Sequence, residues 1–144
     1  MEKNKNFDKW NELKKKLNTK NADVLFHERE IWWCSLGVNV GFEEDGKNDL
    51  FERPALVVKK FNRSVLWILP LTRSQKTGGY YYRITQNDED DSVVILSQLR
   101  LISSKRLLRK MRMLGNLEFK DITAKIGEFL QKKSEPPFGS SSEA

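Results

Sequence analysis

The chain is 144 residues long, which suits one domain with one core. Lys and Arg number 26 against 20 Asp and Glu, a formal net charge of +6 that is compatible with a nucleic-acid partner without demanding one. The single cysteine, Cys34, excludes an internal disulfide framework, and with His27 as the single histidine neither a His/Cys zinc site nor a His-pair ribonuclease mechanism fits.

No apolar run approaches the ~20 residues that span a bilayer, and the opening MEKNKNFDKW has no signal-peptide apolar core, so a soluble cytoplasmic protein is expected. Phe7, Trp10, Leu13 and Leu17 recur at near-helical spacing, with Lys14, Lys15 and Lys16 on the polar side. That pattern predicts an amphipathic helix within an N-terminal extension over residues 1–28. The lysine run reads first as a solvated helix face and second as a contact for phosphate. His27 has no neighbour that suggests catalysis and is expected to be structural.

Glu30 to Leu36 (EIWWCSL) has the aromatic and β-branched content of a first strand. Trp32 and Trp33 then point to opposite faces, one toward the core and one toward an interface or groove. Cys34 reads as a small core residue, since no base is placed to activate it. Gly37 to Phe51 is a long polar connection with glycines at 37, 41 and 46, and Glu43 and Glu44 are its candidate chemical groups.

Glu52 to Ser74 (ERPALVVKKFNRSVLWILPLTRS) predicts a hairpin turning at Asn62-Arg63. A two-residue loop pairs Phe61 with Ser64 and a four-residue loop pairs Lys60 with Val65. In both, partner numbers sum to 125, so Arg53 falls opposite Thr72 on a shared face. Leu56, Val58, Val65, Trp67, Leu69 and Leu71 make the other face the expected core, which leaves Arg53 and Thr72 away from it. A bulge at Pro70 would move Thr72 to the opposite face.

Strand character returns at Tyr80–Thr85, then an acidic turn at Gln86–Asp91, then strand at Ser92–Leu96 and Leu99–Ile102 with a break near Gln98. Asp88 to Asp91 lack the spacing of a calcium loop. Ser103 to Met113 predicts a short basic helix with Ser103 or Ser104 as N-cap. Asn116 is expected to cap a last helix whose stripe is Leu117, Phe119, Ile122, Ile126, Phe129 and Leu130, with Gly127 weakening it. A disordered tail is expected over residues 134–144. The sum is a mainly β chain, a small barrel of about five or six strands over residues 29–133, with a helix before it and one or two after.

At that point the residues resemble the MazF/PemK toxin family. Glu30-Ile31-Trp32, Gly41-Phe42-Glu43 and Arg53-Pro54 are similar to its opening strand, Gly-x-Glu loop and Arg-Pro strand start. Pro70-Leu71-Thr72 resembles its Pro-Ile/Leu-Thr segment, and Asp91, Ser92, Val93, Gln98, Arg100, Lys105, Arg106 and Leu107 match a downstream one. The likeness runs from about Glu30 to Leu130. Arg29 stands where the family has Gly, Ser97 where it has an acid, and Arg73 separates Thr72 from Ser74. The resemblance implies an SH3-like barrel with added N-terminal and C-terminal helices. It further implies a cytoplasmic homodimer that cleaves single-stranded RNA without metal or other cofactor and is held inactive by a cognate antitoxin.

The resemblance also puts the family's catalytic pair on Arg53 and Thr72, the two residues the register argument brings together. Metal-free cleavage through the 2′-hydroxyl needs a proton acceptor, a proton donor and positive charge at the phosphorane. Arg53 suits the last role and is also a candidate proton donor, at the cost of deprotonating a guanidinium; Thr72 donates to a phosphate oxygen, and Glu43 is either the acceptor or a base-reading group. Phe42, Glu43, Ser74 and Gln98 are the candidate RNA-binding residues. Two other readings fit the sequence: a catalytically silent SH3-like module that binds RNA or protein, and a CcdB-like gyrase poison.

Overall fold

A computed structural model describes residues 4–21, 24–85 and 92–132; the expected acidic turn at 86–91 and the tail lie outside them. Helix α1 (Phe7–Thr19) opens the fold, and Asn6 caps it by accepting a hydrogen bond from the Lys9 amide at 3.0 Å. Seven strands follow: β1 (Glu30–Ser35), β2 (Glu52–Lys60), β3 (Val65–Thr72), β4 (Tyr81–Arg83), β5 (Val93–Ile95), β6 (Arg100–Ser103) and β7 (Leu107–Met113). Helix α2 (Asn116–Gln131) closes the described chain, and short 3-10 turns occupy Leu96–Gln98 and Ser104–Arg106.

All strand pairs are antiparallel, in the order β4-β5-β3-β2-β1-β7. Strand β3 changes its outer neighbour midway, pairing with β6 from Val65 to Ile68 and with β5 at Leu71 and Thr72. Pro70 sits at that seam, where a missing N–H costs the outer ladder nothing.

The β2–β3 hairpin holds the expected register only in its inner half. Ala55–Pro70, Leu56–Leu69 and Val57–Ile68 are partners, whose numbers sum to 125, but Lys59 faces Trp67 and Lys60 faces Leu66. A bulge at Val58, not Pro70, takes up the extra residue. The turn is a three-residue loop: Phe61 N–H donates to the Val65 carbonyl, and Asn62 Oδ1 accepts from the Ser64 and Val65 amides at 2.8 and 3.0 Å. Neither expected tip pair forms: Phe61 pairs with Val65 instead, and the Asn62 side chain fills the three-residue loop between them.

Both faces of this hairpin are buried. Ala55, Val57, Leu66 and Ile68 join Phe26, Trp32, Cys34, Leu36, Ile102 and Leu107 in one cluster. Leu56, Leu69 and Leu71 join Ile31, Ile84, Val94, Leu96, Leu114 and Ile122 in a second. The expectation that the Arg53 face lies away from the core is therefore corrected: that face carries a core cluster of its own. Trp67, assigned to the core by parity, is 40% exposed and packs edge-on to Phe61: it keeps the face of Leu69 and Leu71, but lies toward the hairpin tip, beyond that cluster.

The basic helix expected over 103–113 is a strand. Leu, Lys, Arg and Met favour helix locally, but β1 offers an open edge, and Cys34–Leu107, Trp32–Lys110 and Glu30–Met113 pair along it. Two register shifts absorb the mismatch between β1 and β7. Helix α2 is capped by the Gly115 backbone rather than by Asn116, which is its first residue. Ile122 is its buried anchor, Phe119 and Ile126 pack beside it, and Leu117 and Leu130 face outward. No helix among the described residues is long and apolar enough to cross a membrane.

Candidate functional site

The inner end of β2 places Arg53 between two strands. It pairs with Cys34 on β1, and Thr72 closes β3 at the same end of the hairpin, two residues past the Ala55–Pro70 pair. The side chain is 9% exposed, and its guanidinium is held from three directions. Nε donates to the Asp45 carbonyl, Nη1 to the Leu71 carbonyl at 3.0 Å, and Nη2 pairs with Glu44 Oε1 at 2.9 Å. The Leu71 bond ties the cation to the residue preceding Thr72. Thr72 is half-buried, and its Oγ1 accepts from the Ser74 amide at 3.1 Å, which leaves its own proton free to donate.

The loop between β1 and β2 covers this end of the hairpin. Gln98, from the turn after β5, grips it twice: Oε1 accepts from the Glu44 amide at 2.7 Å and Nε2 donates to the Phe42 carbonyl at 3.2 Å. Phe42 is fully exposed at the loop tip and Glu43 is exposed beside it, while Ser74 is exposed on the far side of Thr72. Of the six residues singled out from sequence, Arg53 and Thr72 share one strand-end, Gln98 binds the loop carrying Phe42 and Glu43, and Ser74 joins them through its backbone.

Glu44, not Glu43, reaches Arg53. Glu43 instead acts on Arg100, whose pKa burial lowers while Glu43 opposes the shift. Two supports were invisible in the sequence. Asp45 gives its carbonyl to Arg53, while its carboxylate accepts from the Asn39 amide at 2.7 Å and pairs with Lys5 at 3.1 Å. Lys5 Nζ also donates to the carbonyls of Asn39 and Gly41. The Glu43-Glu44-Asp45 run just before an arginine strand was the only local signal; nothing in it pointed thirty-odd residues back to Lys5.

Trp10 of α1 seats the same loop from behind. Its ring lies 5.6 Å from that of Phe51, and a Cβ at Gly37, where φ is +81°, would come within 2.1 Å of the indole. Gly37 is thus required both by its left-handed backbone and by close approach. Cys34 lies beneath the site, fully buried, its thiol pushed up to about 12 by burial. Among the described residues no three of His, Cys, Asp and Glu cluster as a metal site.

Comparison with known proteins agrees on a single family. The sequence model of the PemK-like, MazF-like toxins of type II toxin–antitoxin systems matches residues 27–130. No curated protein sequence matches the chain. Among solved structures, MazF from Deinococcus radiodurans aligns with a TM-score of 0.61 at 17% identity, covering 76% of this chain and 100% of that one. A mycobacterial endoribonuclease in complex with its cognate antitoxin aligns at 0.59 and 13%, covering 76% and 99%. The MazE-MazF complex from Deinococcus radiodurans gives 0.55 at 15%, covering 77% and 100%. At these identities the structures share the fold. The described chain is accordingly a MazF-like, mainly antiparallel fold with two helices.

Proposed function

Since the chain belongs to the PemK-like, MazF-like toxin family of type II toxin–antitoxin systems, we propose that it is a metal-independent endoribonuclease that cleaves single-stranded RNA by 2′-hydroxyl attack, leaving a 2′,3′-cyclic phosphate. The observation that carries this reading is the Arg53 guanidinium, nearly buried at a strand end that also presents the Thr72 hydroxyl. A cation fixed there before substrate arrives stabilises the dianionic phosphorane without reorganising. Its planar fork grips two phosphate oxygens, and Thr72 Oγ1–H donates to one of them. Because Thr72 Oγ1 already accepts from the Ser74 amide, the hydroxyl is oriented as a donor.

Glu44 is the carboxylate nearest this chemistry, and we assign it two successive roles. Without substrate it neutralises Arg53 at 2.9 Å. When a phosphate displaces it from the guanidinium, the freed carboxylate accepts the 2′-hydroxyl proton as O2′ bonds to phosphorus; the P–O5′ bond then breaks, and the departing 5′-oxygen takes a proton from the protonated carboxyl or from water. Phe42 offers an exposed face for a splayed base, and Glu43 and Ser74 offer polar edges around it. Gln98 acts through the loop it holds, since both ends of its amide are already engaged. Partner assignments follow the same reading: a cytoplasmic homodimer, restrained by a cognate antitoxin, as the mycobacterial endoribonuclease is described in complex with its own.

The test is cleavage of mixed-sequence single-stranded RNA in EDTA, with product ends identified chemically. The wild type is expected to yield 2′,3′-cyclic phosphate termini. Arg53→Ala is expected to reduce the rate by about 10²–10³-fold, the usual loss of one oxyanion stabiliser. Activity undiminished in Arg53→Ala refutes the site. A wild type that binds RNA and cuts none favours the silent module, in which the Glu44–Arg53 pair simply stays closed. Inhibition of gyrase supercoiling would indicate the gyrase poison instead.

A further inference from the structure

Helix α1 lies outside the segment matched to the family, yet it is fastened to the barrel at both ends. Beside its C-terminal half, Lys105 Nζ donates to the Asn18 carbonyl at 2.7 Å, and Lys20 Nζ donates to the carbonyls of Lys105 and Leu107 at 3.3 and 3.0 Å. Between α1 and the turn at Ser103–Arg106 a cleft remains open, lined by Lys14, Lys15, Lys105 and Arg106 together with polar Asn18 and Ser103. No carboxylate lines it. Glu12 reaches Lys15 from the helix surface at 3.4 Å, and no ion pair is formed by Lys14, Lys105 or Arg106 among the described residues.

Arg106 also ties the floor of the cleft to β1, the strand beside Arg53. Arg106 Nη1 donates to the Ser35 carbonyl at 3.2 Å, and Ser35 is next to Cys34, the β1 partner of Arg53. The guanidinium lies 5.4 Å over the Trp10 ring. Burial lowers the pKa of Arg106, and the neighbouring Arg100 lowers it further. Half-buried, mutually repelling cations are costly to hold without an anion, and they lose that cost when a polyanion enters.

We infer that the cleft between α1 and the Ser103–Arg106 turn is a second binding site on this chain, one that takes the phosphodiester backbone of the RNA strand outside the nucleotides being cleaved. The inference rests on the reading of the chain as an RNA-cleaving toxin, but it concerns binding alone. Lys14 and Lys15 hold phosphates as mobile point charges, Lys105 adds a cation fixed against the Asn18 carbonyl, and Arg106 anchors a phosphate from the floor. The site is indifferent to base sequence and extends the footprint of the enzyme along the strand, so long single strands bind more tightly than short ones.

The experiment uses the full chain and 2′-O-methyl RNA, which cannot supply the nucleophile, so its outcome is independent of whether the chain cleaves RNA. Oligonucleotides of about 5 and about 16 nucleotides separate one site from two. Fluorescence anisotropy against salt is measured for the wild type, for Lys14→Gln/Lys15→Gln, and for the triple variant with Lys105→Gln. The slope of log affinity against log salt on the long strand is expected to fall by about 1.4 in the double variant and about 2 in the triple, near 0.7 per cation removed. Long-strand affinity is expected to drop about tenfold, and short-strand affinity to hold. Lys14 and Lys15 are exposed on a helix surface, so the double variant keeps the fold, checked by circular dichroism. Unchanged long-strand affinity and slope overturn the proposal, as does an equal loss on both lengths. Loss of binding to polyglutamate with RNA binding intact also overturns it, and would mark the cleft as a dock for an acidic protein.

Discussion

Cys34 shows how a residue beside the chemistry can be excluded from it. Its side chain is fully buried under Arg53, and burial pushes the thiol up to about 12. At pH 8 the thiol therefore stays protonated, besides being shut away from reagent. Folded protein is expected to show no reaction with a thiol-specific dye at that pH, with one equivalent reacting on unfolding in guanidinium. Rapid labelling of the native chain would contradict the packing. Arg29 supplies the complementary case. Its φ is +76°, the region glycine adopts without strain. Its amide donates to the Val57 carbonyl, its own carbonyl accepts from Leu114, and Nε donates to the Leu114 carbonyl at 3.2 Å. Those three bonds hold a non-glycine residue in a turn that its Cβ disfavours.

At the scale of elements, two joints decide how the site is held. The first is α1 against the β1–β2 loop, fixed by Lys5 on Asp45 and the carbonyls of Asn39 and Gly41. Lys5 acts on Arg53 only through Asp45, so it is a positioning residue. Lys5→Met is expected to lower kcat about tenfold with little change in KM, since a slackened guanidinium stabilises the transition state less. Lys5→Arg should restore part of that loss, which a purely structural lesion would not. The second joint is Glu30, where the N-terminal segment meets β1 and β7. Burial pushes its carboxyl up, but bonds from Lys110, Trp32 and the His27 amide outweigh that and leave it below its ordinary value of 4.5. A lowered folded-state pKa means the stabilisation is complete above the unfolded value and is lost as pH falls through the folded one. Denaturant titrations should show the wild type about 2 kcal/mol above Glu30→Gln at pH 7, with the gap closing below about pH 4. A gap constant down to pH 3 would mean the carboxylate is not what Lys110 and Trp32 hold.

For the molecule as a whole, the two sheet edges and the outward face of α2 leave apolar surface uncovered. Leu101, Met111, Met113 and Leu117 are all at least 38% exposed. Scattered exposure of this kind is ordinary in a monomer, but here several of these side chains follow one another along β7 and into α2. With the homodimer proposed above, equilibrium sedimentation is expected to give twice the 16.9 kDa chain mass at micromolar concentration. Met111→Lys/Met113→Lys is expected to shift the species toward monomer. A wild type that stays monomeric at all concentrations would remove the dimer from the account.

The amino-acid sequence alone was enough for the β2–β3 pairing and for the chemistry those two strands carry. Alternation in β2 and β3 set the 125-sum register from Ala55–Pro70 to Val57–Ile68, next to the hairpin end that carries Arg53 and Thr72. Apolar spacing set α1 and α2, and Trp32 and Trp33 were divided between core and surface as alternation requires. What only the tertiary structure decided were features whose causes lie far away in the chain. The 103–113 segment has helical propensity and became β7 because the β1 edge was vacant. Trp67 lies outside the core because the cluster around Leu69 and Leu71 does not extend to the hairpin tip, where the Trp67 ring packs on Phe61. The loop over Arg53 is held by Gln98 and Lys5, more than thirty residues from the loop positions they bind. Local patterns report the period of a segment and the character of its side chains, whereas bulges, edges and loop anchors depend on which distant group has an unmet hydrogen bond or charge.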